Sequence, residues 1–176
     1  MNMKMLKGFL VALIGLFIVI TLLSLLIPSK VLTVKGIPVY APKEKVVAAL
    51  ADLRNWKNWH PVFMNDSSIK FSEPSSGVNA FAEWNSGNKT NRFNITSVGP
   101  NEIRIALKRA GENDVENVLT ILPLESSNGF QVEWKALTKL KWYPWEKFAG
   151  IFVDKITGPG YETALNSLKE YLEKRP

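Results

Sequence analysis

The hydrophobic pattern of the chain opens with a long apolar run. Residues 8–27 carry no charged side chain and consist mainly of Leu, Ile, Val and Phe. At about 1.5 Å per residue, a helix over this run spans roughly 30 Å, the thickness of the hydrocarbon core of a bilayer. A cleavable signal peptide has a shorter apolar stretch of about 7–15 residues and ends in a small-x-small site, whereas this run ends in Leu26-Ile27-Pro28. We therefore interpret residues 1–30 as a retained transmembrane anchor, inserted through residues 8–27.

After the anchor, the pattern predicts one strand and one helix. Residues 31–40 are rich in β-branched side chains, which favour a strand. Pro42 suits the first position of a helix, and the apolar residues that follow it recur at helical spacing. These apolar residues are Val46, Val47, Leu50 and Leu53. The Trp-rich segment 55–63 is predicted to form a short helical turn or a loop.

The middle of the chain changes to a period of two, which is typical of strands with one buried face. Turn signals rich in Gly, Pro, Ser and Asn divide this region into short segments. The predicted strands are residues 69–72, 78–84, 90–98, 102–108, 115–124 and 130–140. Strands joined by such short turns predict an antiparallel meander with one apolar face and one solvated face.

The last third of the chain has a helical pattern. Apolar residues at steps of three and four predict helices over residues 145–156 and 161–172. Gly158-Pro159-Gly160 lies between them and is predicted to interrupt the helix. One of the apolar helix stripes must cover the apolar face of the sheet. The sequence therefore predicts an α+β domain of two layers over residues 31–176.

Three segments of this pattern resemble a known family. They are residues 38–46 (PVYAPKEKV), 52–61 (DLRNWKNWHP) and 158–162 (GPGYE). With these segments and the order of its elements, the chain resembles the START-like, or helix-grip, superfamily. More narrowly, it is similar to the polyketide cyclase/dehydrase-like SRPBCC proteins, although Val46, Val47 and Ala48 stand where members often carry a bulky aromatic residue.

The resemblance implies a fold and a cavity. The fold is a curved antiparallel sheet wrapped around a long C-terminal helix, and the cavity between them often holds a hydrophobic small molecule. The superfamily has no shared catalytic residues, so the resemblance implies no reaction.

Large aromatic side chains are the main candidates for a site, since the chain has 6 Trp and 9 Phe. A large aromatic residue usually packs in the hydrophobic core, but the same side chains suit the lining of an apolar ligand site. Both interpretations stand. The candidate ligand-binding residues are Trp59, His60, Trp84, Phe93, Trp134, Phe148 and Phe152. The segment Trp142-Tyr143-Pro144-Trp145 is a separate aromatic cluster, suited either to the membrane interface or to the edge of the pocket.

His60 is the only histidine of the chain, which also has no cysteine. A His-based metal site and a Cys/His cluster therefore cannot be built, and we expect no metal and no cofactor. His60 is either a packing residue at the end of the Trp-rich segment or a group at the mouth of the cavity that binds a ligand or moves a proton. Glu83 and Glu133 each neighbour a Trp that is predicted to point inward, so both carboxylates should point outward. A carboxylate pair for acid–base catalysis is not expected.

The charge of the chain bears on its partners. It has 22 Lys and Arg against 16 Asp and Glu, a net charge of +6. The basic residues are scattered among acidic ones, which argues against nucleic-acid binding and fits a weak attraction to anionic lipid headgroups. Lys4 and Lys7 favour a cytoplasmic N-terminus, but Lys30 and Lys35 follow the apolar run and nearly balance them. Because a short N-terminal tail usually stays inside, the domain after this single membrane pass is expected on the extracytoplasmic side. The oligomeric state stays open.

Three functional hypotheses follow from the sequence. The first is a membrane-tethered module that binds a hydrophobic small molecule or lipid between the sheet and the C-terminal helix, without catalysis. The second is a cyclase/dehydrase-like enzyme that uses His60 as an acid or base. The third is a protein-interaction or stress-response module in which aromatic side chains fill the pocket.

Overall fold

The computed structural model describes residues 3–125 and 128–174 of the chain. An N-terminal helix precedes a seven-stranded sheet, several short helices and one long C-terminal helix. The elements are α1 (Met3–Ser24), β1 (Lys30–Val39), α2 (Lys43–Ala51), a 3-10 helix (Leu53–Asn58), α3 (Pro61–Met64), β2 (Lys70–Phe71), β3 (Phe81–Ser86), β4 (Lys89–Val98), β5 (Glu102–Arg109), β6 (Val115–Pro123), β7 (Phe130–Lys139), α4 (Pro144–Gly150) and α5 (Val153–Glu173).

The strands form one antiparallel sheet in the order β1-β7-β6-β5-β4-β3-β2. The predicted meander is therefore confirmed, and β1 forms one edge of the open sheet by pairing with β7 over its whole length. The sheet is curved and packs on the long helix α5, so the α+β helix-grip prediction is also confirmed. The predicted and observed strand bounds differ most at the β2 edge of the sheet. The strand predicted over residues 69–72 is reduced to Lys70–Phe71, and the strand predicted over 78–84 begins at Phe81.

The core lies between the sheet and α5. Alternate residues of the central strands point into it, such as Ile103 and Ile105 of β5 and Val132 of β7. The helix contributes one apolar stripe, which includes Leu165 and Leu168. Burying a side chain of this size contributes about 1.5–3 kcal/mol, so the sheet face and the helix stripe stabilise each other. The amphipathic pattern of both elements dictates this arrangement.

The predicted helix break at Gly158-Pro159-Gly160 is wrong, because α5 runs through all three residues. The chain instead bends at Ile151 and Phe152, between α4 and α5. Gly158 packs against the end of the Lys35 side chain of β1, which would have to shift if a Cβ were added at this position. Pro159 removes one helical hydrogen bond, and the packing of α5 on the sheet outweighs that loss.

One end of the sheet lies next to α1, and we call it the proximal end. There β1 begins at Lys30, opposite Lys139 at the end of β7. The cross-strand pairs Thr138–Val115 and Asn91–Arg109 belong to the same end. Helix α4 contacts the segment between α1 and β1, where the Lys147 ammonium donates to the carbonyl oxygen of Ile27 at 3.0 Å and to the Ser29 hydroxyl. The proximal end is thus fixed to the end of α1.

Candidate functional site

A cavity of about 380 Å³ lies between the proximal half of the sheet and α5. This volume falls in the range of roughly 300–1,000 Å³ that small-molecule sites occupy. The cavity is lined by His60, Val62, Trp84, Ser86, Lys89, Asn91, Phe93, Leu107, Arg109, Glu112, Trp134, Thr157, Gly160, Tyr161 and Ala164.

The walls of the cavity follow from strand alternation. Phe93 and Leu107 are cross-strand partners on β4 and β5, so their side chains meet on the inner face. Trp84 of β3 packs against Phe93 with ring centroids 5.1 Å apart. Gly160 on α5 has open space where a side chain would project, which leaves room between the helix and these aromatic rings. The inner part of the cavity is therefore aromatic and apolar.

Trp134 is held in place from two sides. Its ring lies 5.1 Å from the ring of Tyr161 on α5. Its indole N–H donates to the Oδ1 of Asn117 at 2.9 Å, and Asn117 is fully buried on β6. The Nδ2 of Asn117 in turn lies 3.4 Å from the carbonyl oxygens of Ile105 and Val115. Because the buried amide is satisfied, it fixes the orientation of the indole that forms the back wall.

His60 lies in an aromatic cage at the inner end of the cavity. Its imidazole stacks on Trp56, with ring centroids 5.1 Å apart, and meets Phe63, Phe93 and Trp134 at steeper angles. Its Nδ1 is buried and has no hydrogen-bond partner among the residues that the structure describes. Burial lowers the pKa of His60 from its ordinary value of 6.5 to about 3. The imidazole is therefore neutral at physiological pH.

The rim of the cavity at the proximal end is polar. The Arg109 guanidinium pairs with Glu112 at 3.0 Å, and Lys89 lies 3.5 Å from the same carboxylate. Two cations therefore share one anion, which leaves a net positive charge at the rim. The Nε of Arg109 is also buried without a partner in the described part of the chain. Such an N–H is a ready donor to an anionic or carbonyl group of a ligand.

Tyr161 adds a hydroxyl group between the aromatic and the polar parts of the cavity. Burial raises the pKa of Tyr161, and the positive charge of Arg109 opposes that shift. The phenol therefore keeps its proton across the physiological range and offers a neutral donor and acceptor. The cavity as a whole suits an amphipathic molecule, with its apolar part at His60 and Trp134 and its polar end at Arg109.

The structure brings four of the predicted site residues together at the cavity: His60, Trp84, Phe93 and Trp134. Trp59 lies behind the wall, fully buried, with its indole N–H donating to the Ala49 carbonyl oxygen.

Phe148 and Phe152 lie outside the cavity, contrary to the expectation from their spacing, and are 39% and 55% exposed. The physical reason is the bend at residues 151–152, which turns the apolar face of α4 away from the sheet. As expected, the carboxylates of Glu83 and Glu133 point to the outer face of the sheet. Glu83 forms an ion pair with Arg92, and Glu133 forms one with Lys135.

Sequence reasoning missed the polar residues of the rim. Arg109 carried a usable signal, because it continues the inward alternation of Ile105 and Leu107 by one residue beyond the predicted end of that strand. Tyr161 belongs to the apolar stripe of the predicted helix over residues 161–172, which was interpreted as a core face and not as the lining of a site. Lys89 begins β4, one residue before the predicted strand, and it continues the inward alternation of Phe93 and Asn91. Glu112 lies in the connection between β5 and β6, where a sequence pattern gives no direction for a side chain.

The geometry can be compared with known proteins. Residues 32–173 match the model of a family described as polyketide cyclase / dehydrase and lipid transport. The chain belongs to this family. No curated protein matches it at a significant level.

Solved structures with the polyketide cyclase / dehydrase fold are similar to this chain. Protein CV1439 from Chromobacterium violaceum is 18% identical, with a TM-score of 0.56 over 84% of this chain and 100% of that one. A solution structure of a protein from Thermobifida fusca is 18% identical, with a TM-score of 0.62 over 82% and 97%. Hypothetical protein jhp0584 from Helicobacter pylori is 12% identical, with a TM-score of 0.59 over 81% and 88%. At these identities the likeness concerns the fold alone.

Proposed function

We propose that this protein is a membrane-tethered binding module for an amphipathic, mainly hydrophobic small molecule or lipid. The observation that carries the proposal is the cavity of about 380 Å³ with aromatic walls and a cationic rim. Family membership supports it, because the family description includes lipid transport. The ligand would place its apolar part against Trp134 and Phe93 and its polar end near Arg109.

The tether in this proposal is α1. The helix is long and apolar enough to cross a membrane, and within the described residues almost none of its surface is covered by the rest of the chain. Its 22 residues reach roughly 33 Å. Lys4 and Lys7 before the apolar run are balanced by Lys30 and Lys35 after it. The proposal puts the sheet and α5 on the extracytoplasmic side because the N-terminal tail is short.

Binding without catalysis is favoured by the surroundings of His60. A general acid must hold a proton at working pH, and a general base works best with a pKa near that pH. The pKa of about 3 that burial gives His60 suits neither role. The imidazole touches aromatic rings, and no described carboxylate pairs with it. The open cavity also disfavours the hypothesis of a filled pocket.

The experiment that tests binding is ligand extraction with a cavity-filling control. The full chain and its Gly160→Leu variant are purified in the same mild detergent, and bound molecules are extracted and identified by mass spectrometry. Lipids that coat α1 should be equal in both samples. A cavity ligand should be several-fold enriched with the unaltered chain. Circular dichroism confirms that both proteins are folded. Equal amounts of every extracted molecule in the two samples would then overturn the proposal.

The tether is tested separately. Protein isolated from its native membrane is weighed by intact mass spectrometry, and membranes are washed with alkaline carbonate. The proposal expects a mass that includes residues 1–30 and a protein that stays in the membrane pellet. A mass that begins after residue 24, with release into the wash, would show that the apolar run is a cleaved signal sequence.

A further inference from the structure

An exposed apolar ridge follows the end of the sheet, in α4 and the start of α5. Its members include two of the most exposed large side chains outside α1, with Trp142 66% and Ile156 74% exposed. Soluble monomers rarely leave large contiguous apolar patches open to water. We call the six exposed residues Trp142, Trp145, Phe148, Ile151, Phe152 and Ile156 the ridge.

The ridge begins where α1 ends. Lys147 of α4 is buried, whereas Trp145 and Phe148 of the same helix are exposed. Its ammonium holds the carbonyl oxygen of Ile27 and the hydroxyl of Ser29, which directly follow the apolar run. The contact fixes α4 to the last turn before the sheet. If α1 crosses a bilayer, the ridge is therefore held at the surface of that same bilayer.

Unpaired lysines surround the ridge. They are Lys30, Lys139, Lys141 and Lys155, all exposed and none within salt-bridge distance of a carboxylate in the described residues. Lys30 and Lys139 are direct cross-strand partners, an arrangement of like charges that costs stability unless an anion lies nearby. Of the neighbouring acids, Glu146 is engaged by the Asn113 amide at 2.8 Å. Such lysines suit anionic headgroups, each contributing about 1 kcal/mol near a charged surface.

The cavity opens toward this side of the molecule. Its polar rim lies at the proximal end, where β1 also begins. A second, smaller cavity of about 220 Å³ shares Arg109, Glu112 and Thr157 with the first and continues to Ala149 and Gly150 of α4. The two cavities therefore adjoin at Arg109, Glu112 and Thr157, and the smaller one extends from the rim of the main cavity to α4.

From these observations we infer that the ridge inserts into the headgroup region of the bilayer that α1 spans, so that the cavity opens onto the membrane surface and takes its ligand directly from the lipid phase. This inference rests on the proposed tether. The bilayer is the occupant because the ridge continues from the end of α1, carries the Trp and Phe residues that favour the interface, and is flanked by unpaired positive charge.

The test uses the absence of cysteine from the sequence. Single cysteines are introduced into the full chain and labelled with a nitrobenzoxadiazole fluorophore. The ridge positions are Phe152→Cys and Ile156→Cys. Matched controls are Val98→Cys and Leu122→Cys, which are exposed apolar residues at the opposite end of the sheet. Each protein is reconstituted in vesicles of equal phosphatidylcholine and phosphatidylglycerol, with or without a lipid that carries a nitroxide high on its acyl chain.

The inference expects the nitroxide lipid to quench the two ridge labels several-fold more than the two control labels. Equal quenching at ridge and control positions would overturn it. Ridge labels that are shielded from a water-soluble quencher but not quenched by the lipid would also overturn it, in favour of a contact with a second protein. A label at Leu16→Cys in α1 tests the tether itself, with a nitroxide placed deep in the bilayer. Quenching there without quenching at the ridge refutes the docking alone, whereas no quenching at Leu16→Cys refutes the tether.

Discussion

The imidazole of His60 stacks on the indole of Trp56, with ring centroids 5.1 Å apart and planes inclined by 17°. Both side chains are buried, and Trp56 is anchored by its indole N–H, which donates to the Leu50 carbonyl oxygen at 3.1 Å. The stack places a titratable ring where only its neutral form is tolerated, since burial disfavours the charged form.

The burial of His60 predicts a loss of stability in mild acid. In the folded chain the pKa is about 3, below the ordinary 6.5 of the unfolded chain. The unfolded state therefore binds the proton first, so the contribution is fully present above about pH 6.5 and is lost as the pH falls toward 3. The loss should approach about 1.4 kcal/mol per pH unit below pH 6.5.

The measurement is urea unfolding in a non-ionic detergent between about pH 7.5 and pH 5, followed by tryptophan fluorescence. His60→Phe keeps an aromatic ring and removes the titration, whereas all carboxylates titrate alike in both proteins. The free energy of unfolding of the unaltered chain should fall more steeply than that of the variant. If the free energies of unfolding of the two proteins fall in parallel with pH, His60 does not have a lowered pKa in the folded chain.

The fold was largely predictable because its signals are local. Alternation over 102–108 and 130–140 defined two central strands, since residues on one face of a strand share one environment. The break at Gly158-Pro159-Gly160 was wrong because the packing of α5 on the sheet is not local. Helix α5 lies along β1 and contributes Leu165 and Leu168 to the core, and no pattern within the helix reveals partners so distant in sequence.

The site was predictable only in its apolar half. Trp84, Phe93 and Trp134 could be assigned to the inner face by alternation. The charged rim residues Lys89 and Arg109 lie at strand ends just outside the predicted bounds, so the alternation was not extended to them. Phe148 and Phe152 show the limit of periodicity. Their spacing predicts one face of a single helix over residues 145–156, but the chain turns at residues 151–152, and neither side chain packs against the sheet.

Gly160→Leu should abolish ligand binding without loss of stability. The residue lies within α5 and has open space where a Cβ would project, so leucine fills the cavity and also removes the helix cost of glycine, about 1 kcal/mol. Binding of a fluorescent long-chain acid should fall at least tenfold, while the midpoint of thermal unfolding holds or rises. Thr163→Leu, on the exposed side of α5, is the control and should bind normally. Unchanged binding by Gly160→Leu would place the ligand elsewhere.

Arg109→Gln should weaken binding of anionic amphiphiles specifically. The buried Nε and the excess positive charge at the rim favour an acidic group, and a charge-assisted hydrogen bond contributes about 1.5–3 kcal/mol. Affinity for a long-chain carboxylic acid should therefore fall roughly tenfold or more, whereas affinity for the matching alcohol should hardly change. Lys108→Gln removes a neighbouring charge on the outer face and serves as control. An equal loss for acid and alcohol would mean that Arg109 supports only packing.

Asn117→Leu should destabilise the protein through Trp134. The substitution removes the acceptor of the buried indole N–H, and an unsatisfied buried donor costs about 1–3 kcal/mol. The same substitution made together with Trp134→Phe should cost clearly less, because that ring has no N–H to leave unpaired. Free energies of unfolding of the four proteins give this coupling. If Asn117→Leu costs the same in both backgrounds, the hydrogen bond does not hold the indole.

Lys147→Met should loosen the junction between α1 and the sheet. Methionine keeps most of the buried stem but removes the ammonium that holds the Ile27 carbonyl oxygen and the Ser29 hydroxyl. Losing this bond to a charged donor costs about 1.5–3 kcal/mol, so the segment before β1 should open more often, as local unfolding allows. Trypsin cleavage after Lys30, followed in detergent by the mass of the released fragment, should therefore accelerate about tenfold or more. Lys141→Met removes an exposed lysine that has no carboxylate partner in the described residues, and its cleavage rate should match that of the unaltered chain. Equal rates for Lys147→Met and Lys141→Met would mean that α4 and the end of α1 are not coupled, which would also remove the physical basis for holding the ridge at the membrane.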